Sequence, residues 1–272
     1  MNDKLITLLS SPCAFFSYAH CIIYLVLSVT RIYTPQPLSI TAPVVLDGNA
    51  ARHLIQVLRL TTDDAVVLFN GDGYEYSGHI VTAARHAVTI TLIHRSELEP
   101  PSPLNIALGL GITKSERMDY SLQKSVELGA SAFVPLFTAR SVIKLDAQRL
   151  KKRQQHWWGI IIAACEQSGR RRIPTLATAV PLATWLTEQY EMSLLLDPRT
   201  TLGCDALTPP PSGCIRILIG PEGGLTPAER MSAHEAGFQS IRLGPRILRT
   251  ETAPLAALAA LQILWGDLRN GY

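Results

Sequence analysis

The sequence predicts an α/β protein in two parts, and three observations predict it. Residues 29–98 are written in short β-branched runs broken by Gly and Asp, whereas from Leu104 onward strand-like and helix-like runs alternate. Between the two textures stands EPPSP, Glu99 to Pro103, whose tandem prolines continue neither a ladder nor a helix. A length of 272 residues suits about two domains. Hydrophobic residues at 47% against charged residues at 17% supply a sizeable core and exclude global disorder.

The first element does not match the rest. Cys13 to Val29 is apolar but only 17 residues long, and Ser17 and His20 interrupt it, which is marginal for a membrane span. Met1 to Pro12 balances Lys4 with Asp3 and offers no basic start or small-residue cleavage site of a signal peptide. Residues 1–28 therefore read as an atypical N-terminal extension ahead of a cytosolic domain, with a membrane-anchored protein as the alternative. VVLDG, DAVVLFNGDG, YEYSGHIVTA and AVTITLIH follow as strands, and together they make 29–98 a small all-β domain. Between two of them NAARHLIQVLRL carries Leu54, Val57 and Leu58 at helical spacing, with Arg52, His53 and Arg59 beside them.

After the 99–103 linker, the domain 104–272 runs NIALGLG, a helix from about Ser115, AFVPLF, a long helix from Asp146, MSLLLD, IRILIG, a helix, SIRLG and a final helix. That order predicts a mainly parallel sheet, in which ligands sit at the carboxyl ends of strands. The loops after Gly111, Leu218 and Leu243 are the places to look for chemistry. In GPEGGLTPAER the glycines let backbone approach a ligand, and Thr226, Pro227 and Glu229 form the start of a capped helix. In LGPRILRTETAP, Arg246 and Arg249 can contact phosphates or orient a carboxylate, with Thr250, Glu251 and Thr252 beside them. Thr252 can also cap the last helix. PLAALAALQILW is apolar nearly all round, so that helix belongs in a core or against a partner chain.

The formal charge is only +3, but from Arg140 to Arg172 nine basic residues face two acidic ones, an excess of seven. EQSGRRRIP, Glu166 to Pro174, could clamp phosphodiester oxygens. Of Trp157 and Trp158, at least one belongs to the core rather than to a base-stacking platform. The five cysteines form no metal-spaced cluster, and their number is odd, so neither a structural metal nor a disulfide framework is expected. GxxxxGKS/T, a complete GxGxxG, GxSxG and HExxH are all missing, which removes the common nucleotide, hydrolase and metalloprotease readings.

GPEGGLTPAE, LGPRILRTETAPLAAL, EQSGRRRIP, GITKSERMDYSLQKSVELGA, RIYTP and HLIQVLRL together resemble the RsmE family of small-subunit ribosomal RNA uracil-N3 methyltransferases, in consistent order over 29–272. The resemblance implies an N-terminal PUA-like β-barrel that binds RNA and a C-terminal SPOUT α/β domain with a deep trefoil knot, an exception to ordinary chain topology. It implies S-adenosylmethionine bound at Leu218, Ile219, Gly220, Glu222, Gly223, Gly224, Leu243, Gly244, Ile247, Leu248 and Arg249, with Thr252 and Ala253 adjacent. RNA contacts are expected at Arg31, Arg52, His53, Arg59, Gln167, Ser168, Arg170, Arg171 and Arg172. The expected substrate is ribosomal RNA or the assembled small subunit, in the cytoplasm, and the expected assembly is a homodimer. For catalysis, Arg249 with Arg170 or Arg31 would stabilise the uracil anion. Glu251 is the alternative base, weakened where arginines hold it charged. Two further readings are a non-catalytic RNA-binding or ribosome-assembly factor and a SPOUT methyltransferase acting on transfer RNA or a ribose 2′-hydroxyl.

Overall fold

The computed structural model describes residues 29–84, 86–141 and 146–269, so the N-terminal extension lies outside the described residues. The chain divides into two compact units, one ending at Leu98 and one beginning at Glu99.

The first unit is a five-stranded sheet of β1 (Thr30–Tyr33), β2 (Val44–Asp47), β3 (Ala65–Phe69), β4 (Tyr76–Ala83) and β5 (Ala87–Arg95), in the order β1-β3-β4-β5-β2. Only the β1–β3 pair is parallel. Period-two alternation sends Val66, Leu68, Ile80, Val88, Ile90 and Leu92 into one core. Gly78 sits at a register shift between β4 and β5, where a Cβ would run into the Thr91 carbonyl, so the approach of the two strands requires glycine.

Between β2 and β3 the chain forms α1 (Gly48–Arg52) and then a π-helical turn, His53–Val57. Leu58 N donates to His53 O at 3.0 Å, five residues back. The wider turn rotates the apolar face, which corrects the simple helical reading. Ala51 and Leu54 are buried, whereas Val57 and Leu58 are 63% and 38% exposed.

The second unit contains β6 (Asn105–Gly111), α2 (Ser115–Glu127), β7 (Ala132–Phe137), α3 (Ala147–Ser168), β8 (Thr175–Leu176), β9 (Val180–Pro181), α4 (Leu182–Leu186), β10 (Met192–Leu196), β11 (Cys214–Ile219), α5 (Pro227–Glu235), β12 (Gln239–Ile241) and α6 (Ala253–Trp265). Its sheet runs β12-β10-β11-β6-β7-β8, with β9 also on β7, and every pairing is parallel. The almost continuously apolar β6 and β11 occupy the middle, as a sheet covered on both faces demands. β11 is laid between β6 and β10, although both precede it in the chain. α6 packs against α2 and β11.

Local signals fix several helix ends. Asp146 caps α3 by accepting from Arg149 N at 2.7 Å, and Gly169 ends it in the left-handed region at φ 80°. Trp157 is fully buried, whereas Trp158 is 37% exposed. Thr226 and Glu229 form the reciprocal capping box of α5, at 2.8 and 3.2 Å, with Pro227 as the first helical residue. Glu229 also accepts from Ala139 N at 2.7 Å, which ties α5 to the turn after β7. Replacing Thr226 by alanine is expected to cost about 1 kcal/mol. Urea denaturation checks this, and an unchanged midpoint would show that Pro227 alone sets the helix start.

Inside the sheet lies a charge the sequence reading did not foresee. Arg216, on β11, is 2% exposed. Its Nε donates to Ser193 Oγ at 2.7 Å and its Nη1 to the Trp185 carbonyl at 2.9 Å. The guanidinium also faces the rings of Phe238, Trp185 and Tyr190 at 4.3–5.2 Å. Burial pushes its pKa below the ordinary arginine value.

Candidate active site

The carboxyl ends of β10, β11 and β12 lie side by side because β10 pairs with both neighbours. The loops leaving them enclose a cavity of about 210 Å³. Ile219, the last residue of β11, and Gly220, Glu222 and Gly224 in the loop after it line one side of the cavity. Leu243, Ile247, Leu248 and Ala253 line the cavity from the segment after β12. The two glycine loops are thus brought together on one concave surface, where carboxyl-end geometry places ligands.

Each loop is held in a particular shape. Gly224 and Gly244 adopt φ of 66° and 70°, a region that side chains disfavour. Gly224 N donates to Pro221 O at 2.7 Å, closing the first loop, and Arg140 Nη1 donates to Gly223 O at 2.7 Å from outside. The loop after β6 also braces this turn, since Lys114 N donates to Glu222 Oε1 at 3.2 Å. In the second loop, Arg242 Nε donates to Gly244 O at 2.7 Å. The Arg249 carbonyl accepts from Thr252 N and Ala253 N, both at 2.9 Å, turning the chain into α6. Thr252 holds the N-cap position of α6 but makes no side-chain cap hydrogen bond.

Not every expected contact lines the cavity. Leu218 is fully buried in β11, and Gly223 faces the side chain of Arg140. Gly244 and Thr252 shape the loop without lining the cavity, and so does the backbone of Arg249, whose side chain is 77% exposed. Ile247 is no buried wall: at 84% exposure it stands open to solvent. A third wall was missed. Leu196, Asp197, Pro198 and Arg199 enter from the end of β10, and the rule that pointed to the neighbouring strand ends applies equally to MSLLLD. Asp197 is 3.6 Å from Arg230 and accepts from Arg199 N at 3.0 Å, which sets a fixed carboxylate in that wall.

Arg170 and Arg31, the other two arginines expected in catalysis, make contacts of their own. Arg170 Nη1 donates to the carbonyls of Val126 at 3.0 Å and Ala130 at 2.6 Å, where α2 runs out of partners. Burial lowers its pKa from the ordinary value. Arg31, in the first unit, pairs with Glu75 at 2.7 Å and lies over the Phe69 ring at 4.8 Å. Neither lines the cavity. Arg52, His53 and Arg59 are exposed on and just after the α1–π segment. Gln167, Ser168 and Arg172 are exposed and Arg171 is half-buried. Glu99 Oε2 accepts from Arg171 N and Arg172 N at 3.0 and 2.7 Å, fixing that turn. Among the described residues no group of His, Cys, Asp and Glu could hold a metal ion.

The cavity suits a cofactor with an adenine, a cationic centre and a free amino acid end. Ile219, Leu225, Ile241, Leu243 and Leu248 offer aliphatic surface beside glycine backbone, as a heterocycle requires. Asp197 and Glu222 supply negative charge for cationic groups, and Arg199 and Arg246 supply positive charge for a carboxylate.

Comparison with known proteins agrees with both units. Residues 100–262 match the model of the RNA methyltransferase domain, and residues 46–93 match that of the RNA methyltransferase PUA domain. The ribosomal RNA small subunit methyltransferase E of Buchnera aphidicola from Schizaphis graminum is 36% identical over 242 residues, covering 88% of this chain and 98% of the relative. The crystal structure of the same enzyme from Neisseria gonorrhoeae, bound to S-adenosyl methionine, superposes with a TM-score of 0.82 at 39% identity, covering 88% of this chain and 99% of that one. A Legionella pneumophila putative methyltransferase in complex with the same cofactor gives 0.85 at 36% identity over the same shares. With likeness of this extent running through both units, the chain belongs to the ribosomal RNA small subunit methyltransferase E family.

Proposed function

We propose that this chain transfers the methyl group of S-adenosylmethionine to N3 of a uridine in small-subunit ribosomal RNA. The observation that carries the reading is the meeting of the loops after β11 and β12 on one cavity, with aliphatic walls and fixed charges of both signs. When bound, the cofactor supplies an electrophilic methyl on its sulfonium. The protein's part is to bind it, orient the acceptor and favour loss of the N3 proton. Arg249 is suited to the last task, because its guanidinium is 77% exposed and only loosely held, 3.9 Å from Glu251, so it can meet a base arriving from solvent and stabilise negative charge on it.

Several family features accompany this reading. Insertion of β11 between two earlier strands, with α6 packed on α2 and β11, supports a knotted path through 214–265. Ile263, Leu264 and Leu268 are 56%, 38% and 48% exposed at the end of α6 and just beyond, an apolar face suited to a second copy of the chain. The exposed Arg52, Arg59 and Arg172 would neutralise RNA phosphates, and the exposed His53 could hydrogen-bond to them. A ribosomal RNA substrate is consistent with a cytoplasmic reaction. No helix among the described residues is long and apolar enough to cross a membrane.

Incubation of the protein with the cofactor and undermethylated small subunits, followed by nucleoside mass spectrometry, is expected to yield 3-methyluridine. A methylated ribose, or no product, would overturn the reading. Arg249→Ala is expected to lower kcat about a hundredfold with both substrates saturating. Full turnover in that variant would remove the arginine from the chemistry while leaving the reaction assigned.

A further inference from the structure

Helix α2 sends one arginine to the outside of the cavity wall. Arg117 Nη1 lies 3.4 Å from Glu222 Oε1, and its Nε lies 3.9 Å from Glu251 Oε2. Glu222 belongs to the loop after β11 and lines the cavity, whereas Glu251 belongs to the loop after β12. One cation therefore joins the two loops to each other and to a helix that belongs to neither. Arg117 itself does not line the cavity, so any effect it has on a ligand passes through those carboxylates.

The carboxylates are poorly placed to manage without it. Their side chains are only 18% and 16% exposed. Glu222 Oε2 and Glu251 Oε2 are both buried with no hydrogen-bond partner. Among the described residues each carboxylate has one other contact, and neither spans both: Lys114 N donates to Glu222 Oε1 at 3.2 Å, and the exposed Arg249 Nη1 stands 3.9 Å from Glu251 Oε1. Without Arg117, two covered carboxylates would lose their shared counter-charge. Each would gain by moving toward water, and the loops that carry them would move as well.

We propose that Arg117 is a positioning residue for cofactor binding: it locks the loops after β11 and β12 together and keeps Glu222 in the cavity wall. The proposal rests on the reading of that cavity as the S-adenosylmethionine site. It predicts a shared, coupled loss rather than two independent ones.

The test titrates the wild-type chain, Arg117→Gln, Arg117→Lys, Glu251→Gln and the Arg117→Gln/Glu251→Gln double variant with S-adenosylmethionine by calorimetry. Hydrogen exchange of residues 220–224 and 249–252 is followed in the same proteins without ligand. Arg117→Gln is expected to weaken binding about tenfold or more, Arg117→Lys by less, and the double variant no further than Arg117→Gln alone, as coupled neighbours behave. Exchange should rise in both loops together in Arg117→Gln, with β6 unchanged. Affinity within twofold of wild type, additive losses in the double variant, or faster exchange in one loop only would overturn the proposal. Arg117→Lys keeps the charge and serves should Arg117→Gln fold poorly. If the wild-type chain binds no S-adenosylmethionine, the functional reading falls, whereas the exchange experiment still decides whether Arg117 couples the loops.

Discussion

Gly111→Val is expected to abolish measurable S-adenosylmethionine binding while the sheet survives. Gly111 ends β6, next to the loop after β11. A Cβ on it would lie 2.6 Å from Pro221 Cδ, 2.7 Å from Pro221 N and 3.1 Å from Gly220 C. Two of those are backbone atoms of the cavity's own loop and the third belongs to a proline ring, which has no alternative rotamer to offer. The loop must therefore retreat by roughly an ångström, a displacement that commonly costs a hundredfold or more where groups must be aligned. Valine adds two further methyl groups to the same clash. Calorimetry should show the loss, and far-UV circular dichroism should show retained secondary structure. Affinity within threefold of wild type would mean that the loop tolerates the shift.

Arg216→Ala is expected to destabilise the second unit by about 3–5 kcal/mol. The substitution leaves Ser193 Oγ and the Trp185 carbonyl without their donor and opens a space between Phe238, Trp185 and Tyr190. Arg216→Met should recover much of the loss, because it refills the space without burying a charge. Urea denaturation of the three proteins checks both statements. A cost below about 1 kcal/mol for alanine would show that water enters and solvates the freed groups.

These two positions mark where the sequence was legible and where it was not. The turn GPEGGLTPAER could be read because its signals are local: Thr226, Pro227 and Glu229 fall within four residues and fix a helix start whatever surrounds them. The two glycine loops could be paired through the carboxyl-end rule, which needs only strand order and the resemblance. IRILIG, by contrast, looks like any buried strand. Nothing in its spacing says that Arg216 finds Ser193 and three rings inside the sheet, because those partners come from β10, α4 and the segments after α4 and α5. Arg170 shows the same limit: RRR reads as a phosphate clamp, and nothing in its spacing says that its first member reaches back more than forty residues to Val126 O. The turn at His53–Val57 escaped because one extra residue per turn leaves no mark on composition.

The placement of β11 also governs how the polypeptide must be made. Cys214 to Ile219 fill a gap between Asn105–Leu110 on one side and Met192–Leu195 on the other. As the nascent chain leaves the ribosome, the centre of this domain is among the last parts to emerge. Until it does, β6 and β10 present unpaired edges to the surroundings, and loop-closure entropy must be overcome before any long-range pairing rewards it. Pairing of β11 is therefore expected to come late, and the interval between synthesis of β6 and arrival of β11 is when the unpaired edges are most open to misassociation.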